Sequence, residues 1–209
     1  MNIKEMHTAF RTVGQQMGLQ QVRAILPESI DIYLNTAIIE IVRNKMLSNT
    51  QTVYQDKVTS QHNPVSPINA FRNLYISKEY TVSKDSDDIY KTTELEDIMF
   101  ILNVIVKYDK KQVQCRLIEP DKVPLINNDY CNKATKEYPI ATYKGVIELF
   151  TGSGVPTNCI VEGIKYPAKV KYDNTGYVDC DLLEYLHNDV VELAVQKFLQ
   201  SIKLTINKV

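Results

Sequence analysis

LPESIDIYLNTAIIEIVRNKM, residues 26 to 46, and DLLEYLHNDVVELAVQKFLQSIK, residues 181 to 203, are the two stretches on which the fold turns. In the first, Pro27 supplies a fixed φ, and Glu28 and Asp31 supply negative charge where a helix would start. Ile30, Leu34, Ile38, Ile41 and Leu47 then recur at helical spacing, which predicts a helix from about Glu28 to Leu47. Ile32, Ile39 and Val42 lie off that stripe, so neighbours on more than one side are expected. In the second stretch Asp189, Glu192, Gln196, Gln200 and Lys203 form one narrow polar stripe. Leu186, Val190, Leu193, Ala194, Val195, Phe198, Leu199 and Ile202 cover far more than the ~100° arc a surface helix needs, so this helix should be central in its fold or roofed by a neighbour. Asn188 is its expected N-cap, after a separate turn at Leu182 to His187.

Working outward, Ile3, Met6, Phe10, Val13 and Met17 make a narrow apolar seam on a first helix that Gly18 can end. Ser48 to Gln61 is polar and aperiodic and reads as a loop or excursion; Ser66-Pro67 then starts a shorter helix carrying Ile68, Phe71, Leu74 and Tyr75. Asp85, Asp87, Asp88, Glu94, Glu96 and Asp97 read as a solvated acidic connector. A calcium loop beginning at Asp85 would place Ile89 and Tyr90 at ligand and turn positions, which such a loop does not tolerate. The texture then changes. Phe100, Leu102, Val104 and Val106 face one way and Ile101 and Ile105 the other in a strand from Met99 to Asp109, and Val113, Cys115 and Leu117 alternate in a second strand forming a hairpin with it. Val146–Phe150, Cys159–Ile164 and Lys169–Tyr172 give further short strands, and Glu119 to Ala141 reads as a long loop.

The expected fold is therefore α+β: a helical bundle built from the N- and C-terminal helices, with an inserted small antiparallel β-sheet or barrel module. Residues 1–97 form the N-terminal helical part and acidic connector, 98–178 the β-rich module, and 179–209 the helix that completes the bundle.

Composition narrows the function more by exclusion than by signal. A 209-residue chain that is 44% apolar can bury a real interior. Its net charge of −1 lacks the clustered basic excess that duplex DNA demands. The N-terminus has no apolar leader-like region, and no run approaches the ~18 apolar residues of a membrane span. Cys115, Cys131, Cys159 and Cys180 stand too far apart for a zinc knuckle or redox pair and are expected to be buried small hydrophobes in a reducing compartment. Trp is absent while Tyr numbers 13, a residue favoured where a surface becomes an interface.

No catalytic set emerges. His7, His62 and His187 lie in unrelated segments and are expected to be surface or half-buried imidazoles rather than catalysts, and Gly152-Ser153-Gly154 fits a hairpin turn rather than a nucleophile elbow or phosphate loop. Glu94-Leu95-Glu96-Asp97 does not aim two carboxylates at one bond. The chain is accordingly expected to be no enzyme, with no cofactor and no metal. Lys165, Lys169 and Lys171 could share a strand face, as a solvated edge or as the lining of a passage.

LPESIDIYLNTAIIEIVRNKM, with its acid-containing turn and the Leu34, Asn35, Ala37 element, resembles the start of head-to-tail connector (ring, or adaptor) proteins of short-tailed bacteriophages, particularly the crAss-like gut phages. CRLIEPDKVPLINNDYCNKATKEYPIA (Cys115 to Ala141) is similar to their β-module loop, IKYPAKV (Ile164 to Val170) to their last strand, and LLEYLHNDVVELAVQKFLQSI to their terminal helix. Asn188 stands where a helix-starting Pro would be expected, and Ser48 to Asp97 matches poorly. The resemblance implies a virion structural protein assembled in the bacterial host cytoplasm. It would form a homo-oligomeric ring of about twelve copies between the portal protein and neighbouring connector or tail proteins, with packaged DNA only as passing cargo and no membrane partner. Candidate subunit contacts are Asn127, Asn128, Asp129, Tyr130, Tyr54, Asp56, Lys57 and Leu199, and candidate channel-facing residues are Lys165, Lys169 and Lys171. A phage assembly chaperone or binding module and a small hydrolase are the rival readings.

Overall fold

The computed structural model of the chain describes residues 1–18, 25–55, 69–86, 88–109, 111–173 and 176–206, with side chains described except at 48–55 and 203–206. The chain divides into one unit formed by Met1–Leu74 and Pro167–Val209 and a second formed by Tyr75–Tyr166.

The second unit is an eight-stranded sheet. Its strands are β1 (Tyr75–Ser86), β2 (Ile89–Thr92), β3 (Ile98–Tyr108), β4 (Lys111–Gln114), β5 (Arg116–Leu117), β6 (Ile140–Tyr143), β7 (Ile147–Phe150) and β8 (Asn158–Lys165), in the order β4-β3-β8-β1-β2-β7-β6-β5. All neighbours are antiparallel except β5 and β6. Two devices curl it into a nearly closed barrel. β1 pairs with β8 through Tyr75–Thr81 and with β2 from Val82 onward, so one long strand serves two sheet halves. At the other end β4 and β5 are one strand interrupted at Cys115, whose amide donates to Val104 O at 2.8 Å while the Arg116 amide donates to Pro139 O at 2.9 Å. The ends of the strand order are thus covalent neighbours.

Alternation fills the interior with Tyr90, Val104, Val106, Tyr108, Cys115, Ala141, Ile147, Leu149, Cys159 and Val161. β3 shifts register against β8 between Ile101 and Asn103, and there Gly163 is obligatory: a Cβ on it would stand 2.5 Å from Phe100 O.

This overturns the expected helical bundle with a small inserted sheet. The sheet begins at Tyr75 rather than at residue 98, and the stretch expected to be a solvated acidic connector supplies the end of β1 and all of β2. β1 escapes a hydropathy reading because most of its positions are exposed; only Ile76, Tyr80 and Val82 turn partly inward. Asp85, read as a solvated acid, pairs with Lys91 across the β1–β2 hairpin at 2.8 Å.

The first unit contains α1 (Ile3–Gln16), α2 (Pro27–Gln55), the hairpin β9 (Lys171–Asp173)–β10 (Gly176–Val178), and a terminal helix, His187–Ile206, preceded by a 3₁₀ turn at Glu184–Leu186. With α3 (Val123–Asn127) of the sheet unit counted in chain order, the terminal helix is α4. Asn2 caps α1: its side chain accepts from the Glu5 amide at 2.8 Å, and the Glu5 carboxylate accepts from the Asn2 amide at 3.0 Å. α1 buries Ile3, Met6, His7, Phe10 and Gly14, whereas Met17 is exposed.

α2 starts where expected but continues through Ser48–Gln55, where the sequence predicts a loop or excursion; residues 56–61 of that stretch, like Ser66-Pro67-Ile68, lie outside the described residues. Asn69 and Ala70 are helical, and Phe71 and Leu74 are buried in the turn that follows them. α2 buries Ile30, Leu34, Ala37, Ile38, Ile41 and Val42 and leaves Ile32, Ile39 and Leu47 exposed, so its apolar surface is not covered on every side. α4 shows the expected polar stripe at Asp189, Glu192, Gln196 and Gln200, but it begins at His187, so Asn188 lies inside the first turn.

α2 and α4 meet through Tyr33, whose hydroxyl donates to Ser201 Oγ at 2.9 Å and whose ring packs edge-on to Phe198, and through a Lys197–Glu40 ion pair. The chain that links the sheet back to α4 is tied down by side chains. Asn35 Nδ2 donates to Val170 O at 3.0 Å and Asn35 Oδ1 accepts from Val170 N at 2.8 Å, so one amide on α2 mimics a neighbouring strand. Asp181 accepts from the Ala168 amide and Asp179 from the Ile3 amide. Replacing Asn35 by Leu removes both partners of Val170 and should cost about 2 kcal/mol, the penalty for a buried polar group left unsatisfied. Chemical denaturation of Asn35→Leu checks this, and an unchanged midpoint would remove the clamp from the account.

Candidate interaction surface

The candidate surface exists because of how β5 and β6 are joined. Arg116 pairs with Ile140 and Leu117 with Ala141 in parallel, and parallel neighbours cannot be connected by a tight turn. The chain between them therefore makes a long excursion. It is not slack: α3 turns Val123 and Ile126 inward, where with Ile118 and Ala134 they form a second apolar cluster on Ile140, Phe150 and Ile89.

Beyond α3 the loop is fastened to itself. The Asp129 carboxylate accepts from the Cys131 amide at 2.9 Å and from Asn132 Nδ2 at 2.6 Å, and Asp129 O accepts from the Lys133 amide at 2.9 Å. Arg116 reaches over to donate to Asn132 O at 2.6 Å, and Thr135 and Tyr138 exchange backbone hydrogen bonds. Most of what this frame displays is polar, but three large apolar side chains stand among it. Leu125 is 73% exposed, Tyr130 85% and Tyr138 66%, with the Lys133 ammonium 5.2 Å from the Tyr130 ring centre. Pre-ordered loops carrying aromatic side chains suit binding, since little entropy remains to be lost.

Of the residues singled out from sequence, Asn127 ends α3, Asn128 follows as its C-cap, and Asp129 and Tyr130 lie exposed in this loop. Tyr54 falls in the last turn of α2, Asp56 and Lys57 lie outside the described residues, and Leu199 is half-buried on α4. Lys165, Lys169 and Lys171 do not share a strand: Lys165 ends β8, Lys169 is exposed in the link, and Lys171 opens β9, paired with Asp173 at 3.0 Å. Pro167 cannot donate to a ladder and lies where the chain passes from one unit to the other. Leu125 and Tyr138 join Asp129 and Tyr130 as exposed residues beyond those expected from sequence, and the inward Val123/Ile126 spacing, which throws Leu125 outward, is the sequence signal for the first.

Two histidines also depart from expectation, while His62 lies outside the described residues. His7 and His187 are buried. His7 Nε2 donates to Asp31 Oδ1 at 2.7 Å, Asp31 Oδ2 accepts from the Tyr172 amide at 3.0 Å, and the Tyr172 ring stacks on the imidazole at 4.7 Å. This is the base-and-orienter half of a hydrolytic triad, yet His7 Nδ1 is buried without a hydrogen-bond partner and no hydroxyl or thiol is bonded to it. His187 donates to Leu182 O at 2.9 Å, while Asp189 is exposed. Among the described residues no helix is long and apolar enough to cross a membrane. In comparison with known proteins, no family model and no curated sequence matches the chain.

The thiols separate into classes. Burial pushes Cys159 up to about 12 and Cys180 up to about 11, and drives Cys115 in the barrel interior higher still. Cys131 is exposed, against the expectation that all four are buried. Native protein should therefore give one fast-reacting thiol, Cys131, with Cys115 and Cys159 reacting only on unfolding; comparable labelling of Cys115 would sink the assignment.

Hydrogen bonds from the Asn132 side chain and the Cys131 amide hold the Asp129 carboxyl below its ordinary range. The ordering they provide is then fully present above the ordinary carboxylate range and is lost as pH falls through the depressed value. Amide shifts of Cys131 and Asn132 followed by NMR should titrate with a midpoint below that of an exposed aspartate, and a midpoint in the ordinary range contradicts the turn.

Proposed function

We propose that this chain is a phage virion structural protein, a ring component of the portal-to-tail connector that extends the DNA channel and works without catalysis or cofactor. The observation that carries this reading is the Ile118–Pro139 excursion. A nearly closed sheet holds a self-fastened loop whose exposed side chains include Leu125, Tyr130 and Tyr138. Side chains of that size and exposure are what a protein contact buries.

Two further features agree with it. α2 leaves Ile32 and Ile39 exposed two turns apart, additional apolar surface available for contact. The buried histidines act as hydrogen-bonding struts, His7 between α1 and α2 and His187 at the start of α4. The resemblance of Leu26–Met46 and Cys115–Ala141 to connector proteins supplies the particular assembly.

Quantitative mass spectrometry of purified particles of the encoding phage is the test. The chain should be present at the same copy number as the portal protein. Abundance in infected cells but absence from finished particles replaces the connector with an assembly chaperone. Turnover by the purified protein that is lost in His7→Gln would make it a hydrolase instead.

A further inference from the structure

We draw no further inference here: the strongest candidate, the apolar cleft of about 380 Å³ beside β3 and β5 walled by Ile98, Phe100, Ile101, Leu117, Ile118 and Tyr143, is an unpartnered apolar surface, and nothing in the structure shows what covers it.

Discussion

The parallel pairing of β5 with β6 is the constraint from which the exposed surface of the sheet unit follows. A purely antiparallel closure could have ended in a short turn. Because Arg116 and Leu117 run alongside Ile140 and Ala141 in the same direction, the chain must leave the sheet, travel back and re-enter, and that excursion needs its own apolar support. Val123, Ile126 and Ala134 provide it, and everything outward of them becomes available for contact. Cys115 is the joint: its amide belongs to β3, and the amide of Arg116 belongs to the chain entering β6. A small, buried side chain suits a position where the strand changes partners.

The helical unit is held by a different kind of interaction. α1, α2 and α4 bury ordinary apolar faces, but the hairpin and the segments around it are too short to bury much of their own. Their backbone groups are met by side chains instead: Asn35 at Val170, Asp31 at Tyr172, Asp181 at Ala168 and Asp179 at Ile3. Each is directional, and each fixes one backbone position against one helix or turn. Buried backbone left without such partners would cost about 1–3 kcal/mol per group.

What could be read from the sequence follows the same division. The spacing of Ile30, Leu34, Ile38 and Ile41 is the buried face of α2, because local periodicity and burial coincide there, whereas the alternation expected for β3 holds only at Val104 and Val106: the register shift between Ile101 and Asn103 brings Ile101, in place of Phe100 and Leu102, against the core. β1 was illegible because its outer face meets solvent along nearly its whole length, and a strand of lysines, serines and acids has no period-two signal. Ser48–Gln55 was illegible for a related reason: an established helix propagates through polar residues without an apolar stripe. The loop could be suspected from Pro120, Pro124 and Asn127-Asn128-Asp129, and it does carry the exposed tyrosines. Its anchors could not be ranked, since exposure of Tyr130 over Ile126 depends on which side packs on Phe150. The His7–Asp31 contact joins residues 24 apart on different helices, a pairing that no local spacing encodes.

That contact also shows how the two units differ in what they tolerate. The barrel interior is almost wholly apolar, and interiors of that kind accept exchanges that conserve volume, such as Ile for Leu at 147 or 149. A buried imidazole on a carboxylate behaves otherwise. The pair contributes little net stability against an apolar substitute of equal size, yet removing one member leaves the other buried and partly unsatisfied. Removing His7 leaves Asp31 with the Tyr172 amide alone and leaves the Tyr172 ring without its stacking partner, so α1 and the hairpin loosen together. The helical unit therefore gains its fixed arrangement from a few irreplaceable polar contacts, and the sheet unit gains its rigidity from many interchangeable apolar ones. A surface that must keep its shape while its sequence drifts is better carried by the second kind of scaffold, and the exposed loop is built on the sheet.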